Sequence, residues 1–254
     1  MVVFENTTDI HSHVLWGVDD GAEFFDESVE LCFMAEDCGT KNLFVTPHLM
    51  YWDRAEELFD IREQRVDELQ ETLIDEDSEL IIKKGFEILC DDDIFNVKYF
   101  NPYTLNNSRY LLMEFDFYKT GEDDVRSWCE YISSFGLVPI IAHPERYRFV
   151  FDDISVIQRL SEQGVLFQIN AGSPAGFFGE AEQEIACSML NKGYVDFIGS
   201  DAHSLRSRNT DLDACVKYYP DFLNEALFYK AAVENPQAII NDSPYKPIRL
   251  EDIK

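Results

Sequence analysis

The chain has 254 residues, a hydrophobic content of 46% and a formal net charge of −28. A chain of this length can bury a full core as one large domain, while the acidic excess disfavours nucleic acids and anionic lipids, whose phosphates it would repel. No apolar run of about 18 residues and no signal peptide occurs, so we expect a cytoplasmic protein without membrane insertion.

Short apolar runs bounded by turn residues predict seven strands. In chain order they are Thr8–Val14, Asn42–Thr46, Leu80–Leu89, Tyr110–Phe115, Leu137–Ala142, Leu166–Asn170 and Val195–Gly199. The amphipathic stretches between them predict helices at Asp26–Cys38, Arg54–Leu73, Asp123–Phe135, Ile154–Gln163, Glu180–Asn191 and Asp221–Val233. Glycines at 39, 136, 164 and 193 follow four of these helices, as C-terminal caps do. This alternation favours parallel β/α units, and we predict a single α/β domain over residues 1–254, folded as a distorted seven-stranded, TIM-like barrel.

Several common catalytic motifs are absent. No G-x-G-x-x-G or G-x4-G-K-[ST] occurs, which disfavours a nucleotide-binding doubly wound sheet. None of the six cysteines forms a C-x-x-C pair, and none has an arginine six positions later. A zinc ribbon and a cysteine-based phosphatase loop are therefore excluded, and we interpret the cysteines as reduced core residues.

The histidines carry the first functional signal. All five follow short apolar runs: His11 and His13 as an H-S-H pair, His48 in T-P-H, His143 in I-A-H and His203 in S-D-A-H. In β/α barrels the chemistry lies at the carboxyl ends of the strands. The pattern therefore predicts imidazoles delivered to one shared rim.

Carboxylates follow the same strands. Glu87, Glu114 and Asp201 lie at or after predicted strands, and Asn170 ends another. His11 and His13 point to the same side of an extended strand, because side chains alternate with period two. Imidazole and carboxylate together suit Zn²⁺, Mn²⁺ and Fe. Eight or nine convergent ligands predict two or three ions, with a carboxylate bridging some of them.

The ordered motifs carry a family resemblance. D-I-H-S-H, V-D-D-G, T-P-H, G-F-E-I, S-R-Y-L-L-M-E-F, H-P-E-R-Y and S-D-A-H occur in this order. The chain resembles the polymerase-and-histidinol-phosphatase (PHP) superfamily and, within it, the bacterial protein-tyrosine phosphatases of the CpsB/YwqE type, which act in capsule and exopolysaccharide control. The resemblance extends from Asp9 to the E-N-P-Q segment near the end, and it implies a distorted β/α barrel with a trinuclear metal centre.

The resemblance also implies a ligand set for three divalent ions, with Mn²⁺ expected and Fe or Zn as alternatives. The first ion would take His11, His13, Glu87 and Asp201; the second Glu87 as a bridge, Glu114 and His143; the third Asp20, His48 and His203. Asp19 is the neighbouring alternative to Asp20, and the Asp-Asp-Gly segment could also be an ordinary polar turn.

The implied reaction is hydrolysis of phosphotyrosine by a metal-bound hydroxide. Arg146 and Arg208 would contact the phosphate, since guanidinium donors match two phosphate oxygens at once. With Asp201 they are the predicted catalytic residues. Arg206 could replace Arg208, and Arg146 could instead pair with Glu145. A general acid is not assigned.

Aromatic side chains near the predicted rim could form a slot for the phosphotyrosine ring, or could simply pack in the core. They are Trp16, Tyr51, Trp52, Phe117, Tyr118, Tyr147, Phe177 and Phe178.

Three other functions stay open at this point. They are a small-molecule phosphatase such as histidinol-phosphate phosphatase, a nuclease, which the acidic charge disfavours, and a non-catalytic metal-binding regulator. The partner implied by the resemblance is a phosphotyrosine protein, namely a polysaccharide-assembly tyrosine kinase, and not a nucleic acid.

Overall fold

In the computed structural model, residues 4–218 and 225–247 are described. The fold is α/β. The strands are β1 Thr7–Asp9, β2 Thr40–Val45, β3 His48–Leu49, β4 Ile81–Lys84, β5 Glu87–Leu89, β6 Tyr110–Glu114, β7 Val138–Ala142, β8 Leu166–Asn170 and β9 Phe197–Gly199. The helices are α1 Phe25–Asp37, α2 Ala55–Asp75, α3 Glu122–Ser133, α4 Arg148–Asp152, α5 Val156–Glu162, α6 Glu180–Lys192, α7 Ala214–Tyr218, α8 Glu225–Tyr229 and α9 Pro236–Ile240.

The strands form two parallel sheets, with orders β1-β2-β4 and β3-β5-β6-β7-β8-β9. Two segments of the chain contribute to both sheets, because β2 continues into β3 across Pro47 and β4 continues into β5 across Gly85. Proline has no N–H to donate to a ladder. At Gly85, a Cβ would lie 2.6 Å from the side chain of Leu105. The fold is thus parallel α/β as predicted, while the closed seven-stranded barrel stays a prediction.

The first predicted strand is shorter than expected. Hydrogen-bonded pairing ends at Asp9, and the chain then passes through the site. Ser12 makes an isolated parallel bridge with Ala202, which follows β9 at the edge of the six-stranded sheet. His13 N donates to Ala202 O at 2.8 Å. This short bridge brings the segment after β1 beside the segment after β9.

The helices match the amphipathic stretches to within a few residues. The four predicted capping glycines all have positive φ, between 74° and 88°, which confirms their role. The last predicted helix, Asp221–Val233, begins in residues that lie outside the described part of the chain, and α8 covers its centre. No helix in the described ranges has the length and apolarity needed to cross a bilayer.

The six-stranded sheet is buried on both faces. Along β6, Leu111 and Met113 pack into one hydrophobic cluster, whereas Tyr110 and Leu112 pack into another. This alternation follows the period-two geometry of a strand, and burial on both faces is typical of parallel sheets. The second cluster also takes Ile10, next to β1. Residues at the carboxyl ends of the strands are thereby held between two packed layers.

Candidate metal centre

The His11–Ser12–His13 segment begins the site. It is fixed by backbone hydrogen bonds to the residues that follow β9, including Asp201 N to His11 O at 2.9 Å. Both imidazoles are buried, and their Nε2 atoms lie 3.1 Å apart. Two imidazole nitrogens from one short segment therefore face the same point, as the H-x-H spacing predicts.

Glu87 lies at the centre of the site. One carboxylate oxygen, Oε2, is 3.2 Å from the Nε2 atoms of His11 and His13 and 3.2 Å from His48 Nδ1. The other, Oε1, is 2.9 Å from His143 Nε2. Burial opposes its ionisation, but the imidazoles of His11 and His48 hold the pKa of Glu87 well below its usual range. A carboxylate whose two oxygens face different imidazoles has the geometry needed to bridge two ions.

Asp201 closes the inner side of the site. Its Oδ1 lies 3.6 Å from the Nε2 atoms of His11 and His13. Asp201 and His143 have φ of 53° and 34°, in the left-handed region that non-glycine residues seldom adopt. Such backbone costs about 1–3 kcal/mol and is concentrated at functional sites.

Asp20, His48 and His203 form the outer side. Asp20 Oδ1 is 3.4 Å from the Nε2 atoms of both imidazoles. Burial and the neighbouring His13 lower the pKa of His203 to about 4, so its ring is neutral. His203 Nδ1 lies 2.9 Å from the backbone oxygen of Asp201 and donates to it, which leaves Nε2 free to coordinate.

The structure separates the roles of the two adjacent aspartates. Asp19 accepts a hydrogen bond from His48 N at 2.9 Å, and its Oδ2 lies 2.7 Å from His13 Nδ1. It therefore holds the ring of His13 and the backbone of His48, while Asp20 faces the Nε2 atoms of His48 and His203. This placement favours Asp20 over Asp19 as the ligand.

All nine predicted ligands come together in four overlapping groups that could each hold an ion. The groups are His13, Asp20, His48 and His203; His11, Glu87 and His143; His11, His13 and Asp201; and His48, Glu87 and Glu114. The first group contains the predicted third set together with His13, and the third group contains the predicted first set without Glu87. The assignment of ligands to three ions stays a prediction. The predicted second set is divided, because Glu114 lies beside His48, at 2.8 Å, and His143 lies beside His11.

The chemistry of this centre fits divalent metal ions. Within the described ranges, Glu87 Oε2, Asp201 Oδ1, His48 Nδ1 and His203 Nε2 are buried and make no well-aligned hydrogen bond, although each lies 2.6–3.4 Å from an imidazole, carboxylate or guanidinium. Imidazoles and carboxylates gathered in this way are the ligand chemistry of Zn²⁺, Mn²⁺ and Fe.

Both predicted arginines reach the centre. Arg208 Nη2 is 2.6 Å from Asp201 Oδ1, and Arg146 Nη1 is 3.4 Å from Asp201 Oδ2. The Arg146 guanidinium also lies over the rings of Phe117 and Phe178, at 4.6 and 5.2 Å from their centroids. Two cations therefore converge on the Asp201 carboxylate.

Glu145, the alternative partner of Arg146, binds elsewhere. Its Oε1 accepts from Asn170 N and Ser173 Oγ. Arg206 is exposed and lines the same cavity as Arg208, but only Arg208 of this pair contacts Asp201.

The predicted aromatic set divides by position. Phe177 and Phe178 line a cavity of about 320 Å³ that also includes Arg208. Tyr147 is fully buried in the core, and Trp52 packs edge-on against Phe100. The remaining members do not line this cavity: Trp16 packs against Phe25, Phe117 contacts Arg146, and Tyr51 and Tyr118 are exposed.

Sequence reasoning missed one residue of the site. Gln168, two residues before Asn170 on β8, has its Oε1 2.8 Å from His11 Nδ1. The period-two spacing from Asn170 was a usable signal, because it places both side chains on one face of the strand.

Comparison with known proteins gives concordant relationships. Residues 7–241 match the family model described as capsular polysaccharide synthesis, CpsB/CapC. The chain is 32% identical over 206 residues to tyrosine-protein phosphatase YwqE of Bacillus subtilis, covering 79% of each chain. It is 30% identical over 248 residues to tyrosine-protein phosphatase CpsB of Streptococcus pneumoniae, covering 92% of this chain and 98% of the relative.

A solved structure supports the same relationship. The crystal structures of YwqE from Bacillus subtilis and CpsB from Streptococcus pneumoniae, described as unique metal-dependent tyrosine phosphatases, include a chain that superposes with a TM-score of 0.84. The two chains are 28% identical, and the alignment covers 95% of this chain and 96% of that chain.

Proposed function

Because the chain belongs to the CpsB/CapC family of capsular polysaccharide synthesis, we propose that it is a metal-dependent tyrosine-protein phosphatase acting in capsule or exopolysaccharide control. The observation that carries the proposal is the clustering of nine side chains that could bind metal, with two arginines in contact with one of them, Asp201. A cluster of this kind is suited to a substrate with a concentrated negative charge.

We propose three divalent ions, with Mn²⁺ first and Fe or Zn as alternatives. Such ions would lower the pKa of a water nucleophile and neutralise charge on the phosphoryl oxygens. Three ions would bring six positive charges, of which Glu87, Glu114, Asp20 and Asp201 offset four. The pocket would then be cationic inside a protein of net charge −28, which accounts for the binding of a phosphate dianion.

The chain's own residues would bind and orient the substrate. Arg146 and Arg208 lie on either side of Asp201 and would hold two phosphoryl oxygens through paired N–H donors. The rings of Phe117 and Phe178 limit the movement of the Arg146 guanidinium. A tyrosine leaving group has a pKa of about 10 and departs with little assistance from an acid.

The cavity beside Arg208 is the proposed site for the phenyl ring. Its volume of about 320 Å³ and its Phe177 and Phe178 lining suit a flat aromatic group. Because Phe177 is 62% exposed, a ring placed there would bury apolar surface that is otherwise in contact with water. This slot favours an aryl phosphate over a small aliphatic phosphate.

We also propose that the two sheets are parts of one interrupted seven-stranded barrel in a single domain. The bridge between Ser12 and Ala202 supports this view, since it joins the segment after β1 in one sheet to the segment after β9 in the other. The proposed substrate is a phosphotyrosine protein, namely a polysaccharide-assembly tyrosine kinase. The expected cytoplasmic location stays a prediction.

The test compares substrates with and without metal. The full chain with Mn²⁺ is expected to release phosphate from a phosphotyrosyl peptide with kcat/KM at least about tenfold above that for histidinol phosphate, and EDTA should abolish the reaction. Activity on histidinol phosphate alone would favour the small-molecule phosphatase. Failure to hydrolyse either substrate or p-nitrophenyl phosphate with metal bound would overturn the proposal.

Two neighbouring arginines provide a matched pair of variants for the phosphate contact. Arg208→Lys is expected to lower kcat/KM about 10–100-fold, because a hydrogen bond to a charged group contributes about 1.5–3 kcal/mol. Arg206→Lys, in the same loop but without the Asp201 contact, should stay within about twofold of wild type. Equal effects of the two changes would remove Arg208 from the phosphate site.

A further inference from the structure

Two buried amides on β8 link two ligands of the metal centre. Gln168 and Asn170 are fully buried and lie on the same side of the strand. Gln168 Oε1 lies 2.8 Å from His11 Nδ1, Gln168 Nε2 donates to Asn170 Oδ1 at 3.0 Å, and Asn170 Nδ2 donates to Asp201 Oδ2 at 2.6 Å. The result is a continuous chain of hydrogen bonds from His11 to Asp201.

The direction of this chain is set at its Asp201 end. A carboxylate in contact with Arg146 and Arg208 is an acceptor, so Asn170 must present its NH₂ group to Asp201. Its carbonyl oxygen then accepts from the NH₂ group of Gln168. The oxygen of Gln168 is consequently the atom that faces His11.

The same direction decides the state of the His11 ring. Since Gln168 Oε1 can only accept, His11 Nδ1 must carry the hydrogen and donate it. The lone pair of the neutral ring is then on Nε2, which faces Glu87 Oε2 and His13 Nε2. A tautomer fixed by its distant partner in this way is pre-organised to bind a cation.

The residues around β8 hold this strand in place and leave room for the contact between Gln168 and His11. Glu145, fully buried, holds the end of β8 through Asn170 N at 2.9 Å and Ser173 Oγ at 2.6 Å. At Gly199, on the neighbouring strand β9, a Cβ would lie 2.8 Å from His11 Cβ and 3.0 Å from Gln168 Nε2. Only glycine allows the two side chains to meet there.

We infer that Gln168 and Asn170 are positioning residues of the metal centre, which hold His11 in its Nε2-coordinating tautomer and fix the orientation of Asp201. This inference rests on the proposed function only in requiring that the centre binds divalent ions. Outer partners of metal ligands typically contribute 10–100-fold in affinity or activity.

The experiment measures Mn²⁺ affinity by calorimetry in the full chain. Gln168→Met keeps the approximate size of the side chain but removes the acceptor, and it is expected to weaken Mn²⁺ binding about 10–100-fold. The matched control is Gln70→Met. Gln70 is half-buried on α2 and bonds Leu80 O and Ile82 N, so its loss should lower the unfolding temperature without changing Mn²⁺ affinity by more than about twofold.

Equal Mn²⁺ affinities in wild type and Gln168→Met, or equal weakening in Gln168→Met and Gln70→Met, would overturn the inference. A measurement on the unmodified chain keeps it testable if Gln168→Met does not fold. In the Zn²⁺-loaded protein, long-range ¹H–¹⁵N spectra should show His11 protonated at Nδ1, with assignment from the His11→Ala spectrum. The opposite tautomer would contradict the inference.

The affinity and tautomer measurements need no substrate. If the wild type binds Mn²⁺ and Gln168→Met weakens that binding, while neither hydrolyses phosphotyrosyl peptide, the proposed function fails and the positioning role stands. If the wild type hydrolyses the peptide and the Gln168 change leaves Mn²⁺ affinity unaltered, the proposed function stands and the positioning role fails.

Discussion

The two sides of the metal centre differ in how they are built. The inner cluster, His11, His13, Glu87 and Asp201, is at most 1% exposed. The outer cluster, Asp20, His48 and His203, contains an aspartate whose side chain is 69% exposed. Both clusters use the same ligand chemistry, so the difference lies in burial and support.

Support differs mainly between the two aspartates. Rings on both sides have a partner behind them, as His11 has in Gln168 and His203 in the backbone oxygen of Asp201. Asp201 is itself held by Asn170 and Arg208. Asp20 comes from a turn, and the hydrogen bond to His48 is the largest cause of its lowered pKa. A buried, pre-organised cluster binds an ion with little reorganisation, whereas an exposed ligand must be ordered when the ion binds. The inner cluster is therefore expected to hold metal tightly and the outer cluster to exchange it.

The largest expected effect is at Glu87. Glu87→Gln keeps the shape of the side chain but removes the charge that faces four imidazoles. Mn²⁺ affinity and activity on phosphotyrosyl peptide should both fall by more than about 100-fold, above the range of outer partners. Calorimetry and peptide hydrolysis measure the two losses.

A carboxylate away from the site gives the control for Glu87. Glu63 is half-buried and paired with Arg62 and Lys84, and Glu63→Gln should leave Mn²⁺ affinity within about twofold of wild type. If Glu87→Gln bound Mn²⁺ as tightly as this control, Glu87 would not be the bridging ligand.

A smaller and recoverable effect is expected at Asp20. Asp20→Asn should lower activity about tenfold at micromolar Mn²⁺ and regain most of it at millimolar Mn²⁺, because an exposed site loses affinity without losing its geometry. Peptide hydrolysis over a range of Mn²⁺ concentrations measures this recovery. The exposed Asp53→Asn is the control and should behave as wild type at every concentration.

If the activity of Asp20→Asn does not recover at any Mn²⁺ concentration, this variant behaves as Glu87→Gln is expected to behave. The two clusters would then not differ in exchange, and the contrast in burial would have no functional consequence.

The clustering of the candidate ligands was predictable because it depends on local pattern. His11, His13 and Asp201 are placed by short apolar runs that end in polar residues, and parallel strands bring such ends to one edge. The structure brings all nine predicted ligands together on this basis. Five of the predicted helices, α1, α2, α3, α5 and α6, were equally accessible, since each has its own apolar period and four of them are followed by a capping glycine.

What the sequence could not supply depends on contacts between distant segments. The division into two sheets arises at Pro47, after the predicted strand Asn42–Thr46, and at Gly85, inside the predicted strand Leu80–Leu89. Gln168 has only its period-two spacing from Asn170 as a local signal, because its contact is with His11, which is 157 positions away. Asp19 and Asp20 are chemically equivalent in the sequence, and only the fold of their turn distinguishes them.

The smallest expected effect concerns a buried carboxylate outside the centre. Asp213 is 2% exposed, and burial raises its pKa to about 6. Glu87 is also buried, but imidazoles surround it and its pKa is lowered. Charge burial is thus offset in the metal centre and poorly offset at Asp213, where Lys217 only partly opposes the effect.

The sign at Asp213 follows from its two pKa values. The folded pKa of about 6 exceeds the unfolded value of about 3.9, so the stabilising contribution of the neutral carboxyl is complete below pH 4 and is lost as the pH rises through 6. Asp213→Asn should raise the unfolding temperature at pH 7.5 by about 2–4 °C, for a gain of about 1 kcal/mol, with no gain at pH 4. Calorimetry in EDTA measures this difference, with the exposed Asp60→Asn as control. If the gain in unfolding temperature persists at pH 4, or if Asp60→Asn shows the same gain, ionisation of Asp213 is not its source. The difference in charge burial between Asp213 and Glu87 would then have no measured effect on stability.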